Sequence, residues 1–516
     1  MNTTELLTIA TAIVPDRTAV VFEDQRLTYL QLQERVVRLS NALADLGVGK
    51  GDRVATVQVN CNQMAEIYFA AARLDAIFVP LNFRARGPEL THMLNAAEPA
   101  VLLAGGRYVD LLEGIKNQVV PSNYTVSLED RKSGEWLFYD DLVQSSSPEE
   151  ARFPGDDDGD ATVLMFTAGT TGEAKGVVLS HQSFTSYLLA NASPPDPDME
   201  ERNLLSVPIY HVAGLQAVLA SVYGGRTLII MRQFEPEGWM ELVQKERVNR
   251  AMMVPTMLKQ LMDHPRFHCY DLSSVDVLTY GAAPMPLEVI RRAIAEFPGT
   301  RFINAFGQTE TASTITMLPP DDHVLEGSQE EVERKLKRLT SIGKPLDDVE
   351  VAIVDEDGAA LPAGEVGEIV ATGARIMTGY WHEETATREV IRGGWLYTGD
   401  LGYQDPDGYI YLAGRAKDFI KRGGEMVSPE EVERVLMSYP GVDDAAVIGV
   451  PDLDWGERVR AVVVRREEAV REEQIIEHCR QSLAGFKRPE SIVFVDELPR
   501  NPLGKVLKRV LRERYG

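Results

Sequence analysis

Between Leu164 and His181 the chain reads LMFTAGTTGEAKGVVLSH, an apolar run, then a loop of threonines and glycines with one lysine, then a second apolar run. Glycines let backbone N–H groups close on an anion, the hydroxyls of Thr167, Thr170 and Thr171 can donate to phosphate oxygens, and Lys175 supplies compensating charge. Such a loop suits a triphosphate tail. The lysine is followed by Gly176 and Val177 in place of Ser or Thr, so this is not a Walker loop and the magnesium ligand of that motif is missing. On its own the stretch could equally be a turn that joins two strands. No GxSxG elbow or HExxH helix occurs, and Cys61, Cys269 and Cys479 lack CxxC spacing, so hydrolase, thiolate-metal and disulfide readings find little support.

Four further clusters follow in order: Asn304 to Glu310 (NAFGQTE), Tyr397 to Asp400 (YTGD), Gly414 to Glu425 (GRAKDFIKRGGE) and Pro499 to Lys505 (PRNPLGK). Together with TAGTTGEAKG they resemble, in the same order, the signature motifs of the adenylate-forming superfamily. That superfamily holds acyl-CoA synthetases, aryl-CoA ligases, luciferases and peptide-synthetase adenylation domains. The likeness runs from Thr167 to Lys505, the region before it reads like the family's first lobe, and the whole chain is most similar to bacterial fatty-acyl-CoA synthetases.

The resemblance implies an AMP-forming acid:CoA ligase that uses ATP, Mg²⁺ and coenzyme A. By that likeness Ala168, Gly169, Thr170, Thr171, Gly172 and Lys175 cradle the phosphates, while Glu310 and Thr167 hold the metal. A hard cation suits carboxylate, hydroxyl and phosphate oxygens. Thr309 would donate to the α-phosphate. Gly281, Ala282 and Ala283 would line one side of the purine, with Asn304, Ala305, Phe306, Gly307 and Gln308 on the other. Phe306 stands where the family usually has a stacking aromatic. Asp400 would accept from both ribose hydroxyls, and Arg415 would add a ribose or phosphate contact. Lys505 would offset the charge that builds as a carboxylate attacks the α-phosphorus. The family rotates its small domain about a hinge, here Lys417, and the face then presented would carry Lys421, Gly423, Gly424 and Glu425.

Pro208 to Leu215 (PIYHVAGL) resembles the segment that opens the acyl pocket, with His211 placed near the carboxylate. Amino-acid-activating relatives carry an aspartate there, and none is present. Tyr210, Val212, Leu215, Gln216 and Ala217 to Leu219 imply a mainly apolar pocket. The expected substrate is a hydrophobic carboxylic acid, a medium- or long-chain fatty acid first. An aryl or alicyclic acid, or a fatty-acyl-AMP ligase that loads a carrier protein, are the alternatives. No appended carrier domain is evident.

The elements that must position these residues are legible from composition and periodicity. The chain has 516 residues, 44% hydrophobic and 25% charged, which predicts a globular protein of two or more domains. Its 53 Lys plus Arg face 78 Asp plus Glu, and the net charge of -25 disfavours nucleic acid or an anionic lipid surface as partner. With no leader pattern and no long apolar run, the expected location is cytoplasmic, and monomer and homodimer both stay open.

Tyr29, Leu32, Val36, Leu39, Leu43 and Leu46 recur at helical steps between an N-cap at Thr28 and Gly47. Apolar runs at Val54 to Val59, Ala76 to Pro80, Ala100 to Leu103 and Leu228 to Met231 alternate with helical stretches, which argues α/β layering. Ser145 to Asp160 reads as a surface loop or an inter-lobe connection, and Gln329 to Arg338 as a solvated, charge-laced helix. From Val349 short strands with Asp-Gly turns predict a small β-rich lobe. After Arg415 the chain restarts, with Ser428, Pro429 and Glu431 as N-cap, N1 and N3 of a helix. The expectation is therefore an α/β fold: a large multi-lobed domain at 1–415, with two α/β lobes and a β-rich lobe, and a small mobile α+β domain at 416–516.

Overall fold

The computed structural model describes residues 1–85, 87–130, 134–167, 174–415, 418–422, 425–452, 455–501 and 504–516. The helix Tyr29–Asp45 starts as its sequence directs: the Thr28 side chain accepts from the Gln31 N–H while the Gln31 side chain accepts from the Thr28 N–H. That reciprocal cap satisfies two backbone donors that would otherwise have no partner. Leu32, Val36, Leu39 and Leu43 then fall on the buried face and pack into the main core.

Two layered α/β sheets follow from the alternation of apolar strands and helices. One has nine strands, with Thr18–Phe22, Thr227–Ile230, Arg202–Leu205, Arg250–Met253, Val277–Gly281 and Arg301–Gln308 side by side and parallel. Antiparallel strands close both its edges. The second has eight strands and includes Arg53–Val57, Ile77–Leu81, Val101–Ala104, Ala161–Thr167 and Lys175–Ser180. The stretch from Ser146 to Asp160 links the helix Tyr139–Ser145 to a strand of that same sheet, so it is a loop within one lobe and not a connection between lobes.

A third, antiparallel sheet of five strands runs from Glu350–Val354 to Ile410–Arg415. The charged helix Gln329–Arg338 buries none of its residues. It is tied down by Arg338, which bonds Asp322 and Asp407 at 3.0 Å each. The small C-terminal domain is a fourth sheet, of five strands, with helices Pro429–Met437, Glu472–Ser482 and Lys508–Tyr515. Ser428 caps the first by accepting from the Glu431 N–H, with Pro429 inside the first turn. Its apolar residues form cores of their own, separate from the large domain's. The whole is a mixed α/β protein with a large N-terminal and a small C-terminal domain. Among the described residues no helix is long and apolar enough to cross a membrane.

Candidate active site

In open parallel sheets ligands collect outside the carboxyl ends of the strands, where loops converge and helix N-termini point outward. Four adjacent strands of the nine-stranded sheet, Arg202–Leu205, Arg250–Met253, Val277–Gly281 and Arg301–Gln308, bring candidate residues to that edge. They lead respectively into His211, Thr256, Ala282 and Thr309.

The purine-side residues are set by register. Gly281 lies opposite Ala305, and Tyr280 opposite Asn304, in parallel pairing. A Cβ on Gly281 would collide with the Ala305 carbonyl oxygen, so glycine is required for this approach. Ala282 holds φ at 64°, a left-handed conformation that costs a residue with a Cβ on the order of 1–3 kcal/mol. Phe306 is half-buried against an apolar cluster of Ile342 and, from the third sheet, Ile353, Ile369 and Ile410, a wall beside which a planar base can stack. The Asn304 amide is committed elsewhere, donating to the Ser341 carbonyl at 3.1 Å.

Gln308 joins two of the motifs. Its Nε2 donates to Asp400 Oδ2 at 2.7 Å and to the Thr398 carbonyl at 2.9 Å. Asp400 is buried, and lies directly opposite Arg415 in the antiparallel pair of the third sheet. The side chain of Arg415 is outside the described residues. Gly307 leaves no room for a Cβ against Ser313. Thr309 and Glu310 begin the short turn Thr309–Thr311, which the Gln308 N–H closes by donating to Thr311 Oγ1 at 2.9 Å.

Strands Ala161–Thr167 and Lys175–Ser180 pair antiparallel, with Thr167 opposite Lys175. Ala168, Gly169, Thr170, Thr171 and Gly172 themselves lie outside the described residues. A distant segment, Gly379–Tyr380, pairs with the second strand. The Lys175 ammonium sits 5.1 Å from the centre of the Tyr380 ring, and the Tyr380 hydroxyl donates to Glu310 Oε1 at 3.0 Å. One tyrosine therefore holds the loop cation and the acidic motif together. Sequence reasoning missed Tyr380, because a two-residue strand has no periodicity to reveal it. Among the described residues no three His, Cys, Asp or Glu side chains cluster as a metal cage. A lone carboxylate such as Glu310 fits a magnesium ion that takes its other ligands from phosphates and water.

On the acid side His211 is the N-cap residue of helix Val212–Tyr223 and packs on Tyr210 with ring centres 4.2 Å apart and planes tilted by 43°. Burial first, and then the charge of Arg84, push its pKa down to about 3, so the imidazole is neutral at physiological pH. Its Nε2, the Tyr210 hydroxyl and both amide atoms of Gln216 are buried with no hydrogen-bond partner among the described residues. Phe83, edge-on to Tyr210 at 5.3 Å, also lines a cleft of about 380 Å³ with Arg84, Arg107, Tyr108, Leu111 and Gln233.

The small domain presents Lys505 on a braced turn. Its N–H donates to Asn501 Oδ1 at 2.8 Å, and the Asn501 N–H donates back to the Lys505 carbonyl at 2.8 Å. Arg500 bonds both the Gly504 carbonyl and Asp444. Gly504, at φ 77°, packs so closely on Thr256 that a Cβ would clash with that side chain. Three residues along the same helix Lys259 pairs with Asp443 at 3.3 Å. These two contacts set the Lys505 turn beside the loops at the carboxyl end of the nine-stranded sheet. Lys421 is exposed on strand Ile420–Arg422, and its N–H donates to Glu457 at 2.7 Å. Gly423, Gly424, the Glu425 side chain and the hinge residue Lys417 lie outside the described residues.

A large α/β domain with a nucleotide-type edge and a small lysine-bearing domain define a class of nucleotide-using ligase, and the comparisons name the family. The AMP-binding enzyme family model matches residues 9–381 and the AMP-binding enzyme C-terminal domain model residues 431–505. The chain belongs to the AMP-binding enzyme family. It is 35% identical to the long-chain-fatty-acid–CoA ligase FadD13 of Mycobacterium tuberculosis over 95% of this chain and 94% of that protein. It is 36% identical to feruloyl-CoA synthase of an Amycolatopsis species over 97% of this chain and 96% of that protein. Among solved structures, the anthranilate CoA ligase AuaEII in complex with anthranoyl-AMP superposes with a TM-score of 0.88 at 25% identity, covering 100% of this chain and 97% of that one.

Proposed function

We propose that the protein is an AMP-forming acid:CoA ligase acting on a carboxylic acid with a hydrophobic body. A carboxylate cannot expel oxide, so it is first made into a mixed anhydride. A carboxylate oxygen attacks the α-phosphorus of ATP, the bond to the bridging oxygen breaks, and pyrophosphate leaves. The thiol sulfur of coenzyme A then attacks the acyl carbon, loses its proton, and AMP departs with the electron pair of the acyl–oxygen bond.

Charge gathers on phosphate oxygens in the first step, so catalysis rests on positioned donors and cations. In this reading residues 168–172 and Lys175 bind the triphosphate. Thr309 and Lys505 meet the α-phosphate, and Asp400 with Arg415 holds the ribose. Glu310 with Thr167 would hold Mg²⁺, which when bound screens charge between the phosphates. Neutral His211 can donate one N–H to the carboxylate without trapping it as an ion pair. The second step requires the small domain to turn about the hinge near Lys417, which brings Lys421, Gly423, Gly424 and Glu425 round for the pantetheine arm.

The observation that carries the reading is the contact of Gly504 with Thr256, which sets the lysine turn beside the nucleotide-side loops. A medium- or long-chain fatty acid is the first substrate class, supported by the likeness to FadD13. An aryl acid is the second, supported by feruloyl-CoA synthase and the anthranilate ligase. Purified protein given ATP, Mg²⁺, CoA and a panel of alkyl, alicyclic and aryl acids should release pyrophosphate and form a thioester with one class. Acyl-AMP that accumulates with CoA present, but is discharged by an acyl-carrier protein, would replace CoA by the carrier as acceptor. No acid-dependent ATP–pyrophosphate exchange from any member would overturn the proposal.

A further inference from the structure

Ser428 follows the hairpin of strands Ile420–Arg422 and Glu425–Val427 and stands at the start of helix Pro429–Met437. Its hydroxyl makes two bonds at once. The oxygen accepts from the Glu431 N–H at 3.2 Å and so caps the helix, while its one proton goes to the carbonyl of Ala413, on the last strand of the large domain. Glu430 Oε2, a second acceptor, lies farther off at 3.4 Å. The helix start packs closely on that strand: a Cβ added to Gly414 would run into the Glu430 carboxylate and the Phe419 ring. A residue needed only as a cap could as well be Asp or Gly, and neither of these has a proton to give from its side chain. The bond reaches back 15 residues, so it joins the two flanks of the segment 414–418.

Resting on the reading of 416–516 as a domain that turns about Lys417, we propose that Ser428 is a positioning residue for adenylation. Its bond to Ala413 straps the hinge in the arrangement that seats Gly504 on Thr256 and brings up Lys505. A turn at Lys417 moves the helix start against the strand end, and a hydrogen bond weakens steeply once its angle departs from the ideal. The strap therefore opens before thiol transfer and closes again for the next adenylation. One hydrogen bond is worth little net of water, which suits a contact broken in every cycle, and it biases the two arrangements by about three- to tenfold.

The test separates the cap from the strap. Ser428→Gly keeps the helix start at little cost and deletes the donor, whereas Ser428→Thr keeps both. In Ser428→Gly, acid-dependent ATP–pyrophosphate exchange should fall about three- to tenfold while single-turnover transfer from preformed acyl-AMP to CoA holds or quickens. Ser428→Thr should retain the wild-type ratio of the two rates. Limited trypsin reads the strap without catalysis, because Arg415, Lys417 and Lys421 lie in the strapped segment. Ser428→Gly should be cut there faster by the same factor, since cleavage follows the population of the opened form when opening is rapid. An equal fall in both half-reactions, unchanged exchange, or unchanged cleavage in Ser428→Gly would each overturn the strap. Absence of exchange with every acid in wild type would instead remove the function, and the trypsin ratio would then decide the strap by itself. Should Ser428→Gly fail to fold, Ser428→Asp, which caps but cannot donate, takes its place.

Discussion

The nucleotide side of the large domain and the lysine turn of the small one are held in contrasting ways. Gln308, Asp400, Tyr380 and Glu310 are joined by hydrogen bonds of 2.7–3.0 Å inside one domain, and parallel pairing fixes Gly281 against Ala305. Lys505 is braced by Asn501, and Gly504 by Arg500; among the described residues the contacts near them that reach the other domain include Gly504 on Thr256 and an ion pair in which both partners are more than a third exposed. Exposed pairs contribute roughly 0–1 kcal/mol. The difference fits the proposal that one half of the site is preset and the other is delivered by a mobile domain.

The largest effect should come from the delivered half. Lys505→Ala is expected to slow adenylation by about two to three orders of magnitude, the scale of losing one preorganised donor. Transfer from preformed acyl-AMP to CoA should be nearly unaffected. Pyrophosphate exchange and single-turnover thioester formation measure the two steps, and an equal fall in both would erase the division of labour.

Next comes a stress on the preset half. His181 and His323 are buried in the large domain with pKa values driven down to about 4, chiefly by burial. Their neutral forms belong to the folded state, so stability is complete above the ordinary value near 6.5 and is lost as pH falls from there to about 4. Each histidine should contribute a loss on the order of 3 kcal/mol over that window. Urea midpoints at successive pH values would show it, and His181→Gln should flatten the slope. A slope that stays as steep in the variant would remove His181 from the account.

Asp400→Ala should cut kcat/KM for ATP by about ten- to hundredfold, since it removes a charged acceptor and leaves the Gln308 amide with only the Thr398 carbonyl of its two acceptors. A loss confined to the acid's KM would show that Asp400 does not serve the nucleotide. The smallest effect tests the latch. Lys259→Ala should change adenylation by only about two- to fivefold, the worth of an exposed pair, and Asp443→Ala should add nothing to it. Additive losses in the double variant would mean that the two residues act apart.

What was legible in the sequence was local or motif-bound. Thr28 and Ser428 announce helix starts because a cap and its partner lie three residues apart, and the strand at Lys175 follows from its own apolar run. Phe306 and Asp400 stood out through short motifs whose residues share one turn or strand. Contacts between segments far apart in the chain gave no such signal. Gln308 meets Asp400 across 92 residues, and Tyr380 reaches Glu310 across 70, through pairings that only the closed sheets create.

The short pairing of Gly379–Tyr380 with Val177 and Val178 bears on how the enzyme is made. On a ribosome the strand that begins at Lys175 emerges long before the tyrosine that pairs with it, so about two hundred residues of further synthesis must pass before the proposed triphosphate site is whole. A nascent chain halted short of that strand would expose an open sheet edge and should not retain ATP.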